Sequence, residues 1–129
     1  MLLIDTDVFS YRFKNDSRIE PYLPLLNSQP LAVSMINIAE LLRWATVHQW
    51  GTKRFRRLEN ALDDYVMLPL NKAICYQWAT IQADCQANGY VIHDHDCWLA
   101  ATAIYHDIPL VTHNLKDFRC VAGLVTLSY

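Results

Sequence analysis

The feature that most constrains the fold of this chain is a series of short, continuous apolar runs separated by longer segments with helical periodicity. A strand that is apolar at successive positions must be buried on both faces. Strands that alternate with helices form a parallel sheet covered by helices. We therefore predict an α/β, three-layer fold with a central, mostly parallel sheet of about five strands flanked by helices, the strands lying near residues 2–4, 31–33, 66–68, 108–111 and 124–127.

The segments between these runs predict the helices and their ends. Ser34 is placed to cap a helix over about 35–50 that Gly51 ends, and Asn71 is placed to cap a helix that Asn88 and Gly89 stop. The remaining segments with helical spacing lie at about 6–13, 18–28, 52–65 and 95–106. No repeat, linker or low-complexity tract interrupts this order, so a single domain is expected over residues 1–129.

Composition limits the class of protein further. The chain is 53% hydrophobic with only 3 glycines, which favours compact, regular structure. No apolar run approaches the ~18 residues that span a bilayer, and Asp5 interrupts the N-terminal apolar run, so we expect a cytoplasmic protein without a membrane anchor or signal peptide. The 4 cysteines form no CxxC pair and are interpreted as buried free thiols.

Acidic residues at strand and helix ends are the main chemical signal. Asp5 directly follows the first strand, Asp117 follows the strand that ends at Val111, and Asp96 begins a helix. Because ligands of parallel sheets bind beyond the carboxyl ends of the strands, these three acids are expected at one edge of the sheet. Each also has a structural interpretation, since Asp is a common helix cap and Asp5 or Asp7 can serve the following helix.

Glu40 lies in a helix that is apolar on two faces. It either pairs with Arg43 across one turn or lines a cleft, and the sequence leaves both interpretations open. The neighbouring histidines His93, His95 and His106 fit no zinc-ligand spacing and are interpreted as solvated. The formal charge of −2 does not decide whether the chain binds nucleic acid, because 4 acids in a metal site would leave 11 basic against 9 acidic residues.

Taken in order, these motifs resemble one family. An Asp after the first strand, a Glu within a helix, Asp96 in DCWLAATA and Thr112, Asn114 and Asp117 in LVTHNLKDF are together similar to the PIN domain. The resemblance is strongest to the toxins of bacterial VapBC toxin–antitoxin pairs. It runs from about residue 2 to 127, and its most specific part is 96–118.

The resemblance implies a catalytic and metal-binding set of Asp5, Glu40, Asp96 and Asp117. It implies that Thr112 and Asn114 support the site. Asp7 stands where the family often has a neutral polar residue, and Asp94 adds a charge nearby; both are taken as supporting residues. Oxygen ligands without a convincing cysteine or histidine set favour one or two Mg²⁺ or Mn²⁺ ions.

The implied activity is metal-dependent endonucleolytic cleavage of RNA, with tRNA, rRNA or mRNA as the substrate class. The implied partners are a cognate antitoxin and a second copy of the chain in a homodimer. One basic segment either binds RNA phosphates or is an ordinary solvated helix face, and it contains Lys53, Arg54, Arg56 and Arg57.

Two other functions compete with this interpretation. LLIDTDVF also fits the start of a haloacid-dehalogenase-like phosphatase that uses Asp5 as a nucleophile, although the other elements of such an enzyme do not fall in place. A catalytically inactive PIN module that binds RNA or a partner is the non-enzyme alternative. The presence of all four expected acids favours the nuclease.

Overall fold

The structure is a computed structural model that describes residues 1–129, and its centre is a sheet of five short strands. The sheet order is β3-β2-β1-β4-β5, and every neighbouring pair is parallel. This confirms the predicted α/β fold, with a sheet that is entirely rather than mostly parallel. The strands are β1 (Leu2–Ile4), β2 (Leu31–Ser34), β3 (Val66–Leu68), β4 (Leu110–Val111) and β5 (Thr126–Leu127).

Six α-helices connect and cover the strands. They are α1 (Thr6–Phe13), α2 (Leu23–Leu26), α3 (Met35–Val47), α4 (Thr52–Asp63), α5 (Lys72–Ala87) and α6 (Asp94–His106). Two 3-10 segments lie at Ser17–Tyr22 and Leu115–Phe118. As predicted, the side chains of Ser34 and Asn71 cap α3 and α5. None of these helices is both long and apolar enough to cross a membrane.

Apolar side chains leave the sheet alternately toward two separate cores. Leu3 and Leu110 point to a core formed mainly with α5 and α6. Leu2, Ile4 and Val111 point to the other core, which is formed with α1, α3 and α4. Because successive side chains of a strand point to opposite faces, burial on both sides explains why the sequence runs are continuously apolar.

The chain reverses its direction of travel across the sheet at β1. From β1 it moves outward through β2 and β3, and it then returns to place β4 on the other side of β1. Such a reversal leaves a crevice at the carboxyl ends of the two neighbouring strands. The backbone N–H of Asp5 donates to the carbonyl oxygen of Val111 at 2.9 Å, so the ends of β1 and β4 are held side by side at this crevice.

One predicted helix end is wrong. Helix α3 ends at Val47 rather than near residue 50, and Gln49 adopts a left-handed backbone conformation with φ of 52°. Gly51 instead precedes α4 as its N-cap residue, with an extended backbone. The glycine marks the start of the next helix because the turn between the helices is already made at Gln49.

The prediction of four buried free thiols is also wrong. Cys85 in α5 and Cys120 after the second 3-10 segment form a disulfide, with their Cα atoms 5.3 Å apart, and Cys75 is exposed. Only Cys97 is a buried free thiol. The pairing is not visible in the sequence because the two cysteines are 35 residues apart and meet only when their segments pack together.

Candidate active site

The four acids singled out in the sequence line one cleft of about 400 Å³ at the carboxyl edge of the sheet. They come from four different elements. Asp5 follows β1, Glu40 lies in α3, Asp96 lies in the first turn of α6, and Asp117 lies in the second 3-10 segment. Parallel pairing brings these positions to one place although they span most of the chain.

Asp5 is held by both of its carboxylate oxygens. Its Oδ1 accepts a hydrogen bond from the backbone N–H of Thr6 at 2.7 Å, which makes Asp5 the N-cap residue of α1. Its Oδ2 accepts from the hydroxyl of Thr112, just after β4, at 2.7 Å. The capping and site interpretations of Asp5 therefore hold together, because one oxygen serves the helix and the other faces the crevice between the strands.

A second set of hydrogen bonds joins Asp7 to the segment after β4. The Oδ2 atom of Asp7 accepts from the side-chain amide of Asn114 at 2.9 Å and from the backbone N–H of His113 at 3.2 Å. The backbone N–H of Asn114 in turn donates to the Thr112 hydroxyl at 3.1 Å. Asp7, Thr112 and Asn114 thus connect the start of α1 to the end of β4 around Asp5.

Helix α3 is fixed to the same strand end by a residue that the sequence did not indicate as part of the site. The buried side chain of Asn37 donates to the carbonyl oxygen of Ile4 at 3.0 Å, and its Oδ1 accepts from the hydroxyl of Ser34. This contact sets the position of the first turn of α3, and Glu40 follows one turn later. The signal available in the sequence was only the capping pattern of Ser34 and Asn37.

Glu40 faces the cleft and does not pair with Arg43. Its Oε2 lies 2.8 Å from the ring Nδ1 of His95, at the start of α6. The alternative pair with Arg43 is therefore wrong, and so is the interpretation of His95 as merely solvated. The prediction that His106 is solvated holds only in part, since its side chain is half-buried and its Nε2 is buried without a hydrogen-bond partner.

Burial and the charges of neighbouring acids raise the pKa values of three carboxyl groups at the cleft. Burial, followed by the charge of Asp7, raises the pKa of Asp5 to about 7, while the hydrogen bond from Thr112 acts in the opposite direction. Burial also raises the pKa of Asp7. The pKa of Asp96 is raised by burial and then by the charges of Asp117 and Glu40. Carboxylates in this state gain from a nearby cation.

The chemistry of the donors fits a hard divalent cation, which prefers carboxylate oxygens. No lysine or arginine forms a salt bridge with the cleft acids, so their charge is not compensated by the protein's permanent cations. At the same time, no three His, Cys, Asp or Glu side chains converge closely enough to form a ligand group. Hydrogen bonds direct Asp5 to Thr6 and Thr112, and Glu40 to His95, instead of toward a common point.

Asp94 lies outside this cleft. It lines an adjoining hollow that shares Glu40 and Asp96 with the cleft, and the side-chain amide of Gln82 donates to it at 3.4 Å. Trp44, by contrast, lines the cleft one turn after Glu40, although the sequence did not indicate it as part of the site. Its spacing of four residues from Glu40 was the sequence signal that placed both on one helix face.

The predicted basic segment lies in the first turns of α4 and does not line the cleft. None of its cations forms a salt bridge. Two of them are stacked on aromatic rings, with Arg54 over Trp50 and Arg57 over Phe13. The exposed cations of the segment are Lys53, Arg54, Arg56 and Arg57.

Comparison with known proteins gives one consistent result. The PIN domain profile matches residues 2–124. The chain is 29% identical over 124 residues to ribonuclease VapC1 of Haemophilus influenzae strain R2866, covering 95% of this chain and 92% of the relative. Ribonuclease VapC1 of Rickettsia felis is 38% identical over 64 residues, which is 50% of this chain and 48% of that protein.

Solved structures agree on the fold. VapBC-1 from nontypeable Haemophilus influenzae matches with a TM-score of 0.85 and 28% identity over 98% of this chain and 96% of that one. VapBC2 from Rickettsia felis, bound to a promoter DNA fragment, matches with a TM-score of 0.88 and 21% identity over 99% and 98% of the two chains. The second likeness is a likeness of fold.

Proposed function

Because this chain belongs to the PIN domain family, we propose that it is a metal-dependent endoribonuclease that cleaves phosphodiester bonds of RNA in the acidic cleft. The observation that carries the proposal is that four acids from four elements line one cleft without any lysine or arginine partner. Such a cluster is unfavourable for a protein unless a cation neutralises it. The relatives named as VapC ribonucleases support RNA as the substrate.

The residues that would hold Mg²⁺ or Mn²⁺, as one or two ions, are Asp5, Asp96 and Asp117, with Glu40 completing the set. A bound ion of this kind polarises the scissile phosphate and lowers the pKa of a water molecule. Without a cation, the clustered carboxylates repel the phosphates of RNA. Placing the scissile phosphate next to these acids therefore depends on their neutralisation, whereas contacts of RNA with surfaces outside the cleft do not.

The protein's own part in the reaction is to orient the ligand atoms. Thr112 donates to one oxygen of Asp5 and fixes the plane of that carboxylate. Asp7 and Asn114 hold the segment that carries Thr112. Hydrogen bonds of this kind around a ligand commonly determine its orientation and basicity. We assign Asp7, Thr112 and Asn114 to this supporting role.

We further propose that the chain is the toxin of a toxin–antitoxin pair, with a cognate antitoxin protein as its partner, and that it acts in the cytoplasm on tRNA, rRNA or mRNA. The similar solved structures are VapBC complexes, which supports such a partner. A homodimer is proposed as the form that the antitoxin binds.

The test is cleavage of total RNA by the purified protein with Mg²⁺ or Mn²⁺ and with EDTA. We expect cleavage at discrete sites that EDTA abolishes. Asp5→Asn and Asp96→Asn are each expected to reduce it by more than about a hundredfold, since even residues that only support metal ligands contribute ten- to a hundredfold. Asp94→Asn is a matched comparison that removes the same charge from a residue that does not line the cleft, and a much smaller loss is expected from it.

The same assay separates the alternatives. Cleavage that persists in EDTA, or that survives Asp5→Asn, would contradict the proposal. Binding of RNA without cleavage at saturating Mn²⁺ would favour a non-catalytic PIN module. Hydrolysis of p-nitrophenyl phosphate that depends on Asp5 would favour a phosphatase.

A further inference from the structure

A surface of stacked aromatic rings leads away from the acidic cleft. Trp44 lines the cleft, and its ring centroid lies 5.5 Å from that of Trp50. Trp50 in turn stacks on Phe13, with centroids 5.9 Å apart and planes inclined by 10°. The three rings come from α1, α3 and the turn before α4, and all are half-buried. They form a continuous row that begins at the proposed catalytic site.

Each ring of this row carries a cation. Lys14 Nζ lies 4.1 Å from the centroid of the Trp44 ring, and Arg54 Cζ lies 3.9 Å from that of Trp50. Arg57 Cζ lies 5.2 Å from the centroid of the Phe13 ring. We call this surface the aromatic–basic strip, and it consists of Phe13, Lys14, Trp44, Trp50, Arg54 and Arg57.

The cations of the strip have no acidic partner. The salt bridges of the chain are Arg18–Asp16 and the pair between His95 and Glu40, and neither involves the strip. Lys14, Arg54 and Arg57 are nevertheless exposed and held over aromatic rings. An unpaired cation that is already ordered is suited to an anion from outside the chain.

The position of the cations in α4 is also unfavourable for the helix itself. Basic residues occupy its first two turns, and its first turn contains no acid. The N-terminus of a helix carries a partial positive charge, so cations there destabilise it. Gly51 provides no side-chain cap to compensate. Helix stability therefore does not account for this arrangement.

We propose that the aromatic–basic strip binds the single-stranded RNA segment that flanks the scissile bond, a proposal that rests on the proposed ribonuclease function. The cations contact successive phosphates, and their stacking on the rings reduces the side-chain entropy lost on binding. Aromatic rings and guanidinium planes also provide stacking surfaces for bases. An acidic polypeptide would use the charges but not the stacking surfaces, and continuity with the cleft through Trp44 favours the nucleic acid.

The strip can be tested by binding alone, without cleavage. The probe is a fluorescent oligouridine of about 12 nucleotides, titrated with the full chain in EDTA at several salt concentrations. Arg54→Ala/Arg57→Ala removes two cations of the strip. Lys53→Ala/Arg56→Ala is the matched control, because it removes the same charge from the same turns of α4 but leaves the ring-stacked cations in place.

The strip variant is expected to bind the oligonucleotide about tenfold more weakly at moderate salt and the control variant nearly as wild type. The plot of log affinity against log salt concentration has a negative slope, and its magnitude should decrease by about 1.4. This decrease corresponds to the loss of two phosphate contacts at about 0.7 each on a single strand. Trp50→Leu should weaken binding with little change of slope, since it removes a stacking surface and no charge. Thermal melts of each variant verify that it is folded.

Two results would overturn the proposal. Equal loss of affinity in the strip and control variants would mean that RNA binding depends only on the overall charge of α4. Unchanged RNA binding together with weakened binding of a fluorescent oligoglutamate peptide would mean that the strip binds an acidic polypeptide. Both readouts are independent of cleavage. A protein that binds RNA through the strip but does not cleave it would therefore contradict the proposed nuclease function and still support the proposal that the strip binds RNA.

Discussion

The acidic cleft has two halves that are built differently. In the strand-held half, Asp5 and Asp7 are tied by side-chain hydrogen bonds to Thr112 and Asn114 across 107 residues of sequence. In the helix-held half, Glu40, Asp96 and Asp117 project from helical segments. The only side-chain partner among these three is His95, which contacts Glu40.

The difference shows how a parallel sheet organises a site. Adjacent strand ends fix Asp5 and Thr112 in the strand-held half, because the backbone N–H groups of both residues donate to carbonyl oxygens of neighbouring strands. The helix-held half depends on side chains that can change rotamer without disturbing the core. We therefore expect the first half to set the position of a bound cation and the second half to adjust to it. Three predictions test this comparison.

The largest effect is expected from Thr112→Val, which retains the shape of a fully buried side chain but removes its hydroxyl. The variant loses the hydrogen bond to Asp5 and the acceptor for the Asn114 backbone N–H. We expect kcat/KM for cleavage of an RNA oligonucleotide with Mg²⁺ to fall by about ten- to a hundredfold.

Thr102→Val is the control for this substitution. Thr102 is equally buried, but its hydroxyl donates to the carbonyl oxygen of Trp98 within α6, away from the acids. The Thr102→Val substitution should leave kcat/KM for RNA cleavage nearly unchanged. A comparable loss in both variants would mean that Thr112 acts through general packing, and the strand-held half would then have no special role.

The next effect concerns stability against pH in the metal-free protein. The pKa of Asp5 is raised from 3.8 to about 7, so the folded state keeps a proton that the unfolded state releases between these values. The free energy of unfolding should therefore decrease as the pH rises through this window, by at most about 1.4 kcal/mol per pH unit for this one group. Asp7 and Asp96, whose pKa values are also raised, act in the same direction.

Urea unfolding in EDTA between pH 5 and pH 8 measures this dependence. Asp5→Asn should flatten the decrease, and Mg²⁺ should stabilise the wild type more at pH 8 than at pH 5, because only the ionised carboxylate binds it well. If Asp5→Asn leaves the pH dependence unchanged, the charge of the strand-held half is not what destabilises the metal-free fold.

The smallest effect is expected in the helix-held half. The side chains of His95 and Glu40 are 64% and 36% exposed, and an exposed pair of this kind contributes less than about 1 kcal/mol. His95→Ala should therefore lower kcat/KM by no more than about fivefold. His95→Gln, which can still donate a hydrogen bond to Glu40, should be closer to the wild type. A loss with His95→Ala as large as that with Thr112→Val would contradict the distinction between the two halves.

Much of the fold could be predicted because its signals are local. The continuous apolar runs before Asp5 and before Ser34 indicate strands buried on both faces, and the side chains of Ser34 and Asn71 mark helix starts that the structure confirms. Gly51 was misassigned since a glycine between two helices can end one or precede the other. The disulfide between Cys85 and Cys120 depends on packing and carries no local signal.

The site was predictable in part for the same reason. Placing Asp5 and Asp117 at one sheet edge requires only the rule that parallel strands share their carboxyl edge. The partner of Glu40 could not be found this way, because His95 is 55 residues distant and its ring is brought to α3 by the packing of α6. The spacing of Trp44 from Glu40 places both on one helix face, but it does not indicate that Trp44 is part of the site, since aromatic residues of an apolar helix usually lie in the core.

The hydrogen bond between Asp5 and Thr112 also has a consequence for the time at which the cleft can exist. Thr112, the partner of Asp5, is synthesised 107 residues after it. At about 5–20 residues per second, the interval is roughly 5–20 s. The last strand is later still, and the carbonyl oxygen of Leu127 accepts from the backbone N–H of Thr112. A nascent chain therefore carries Asp5 for at least this interval before the cleft can be assembled around it.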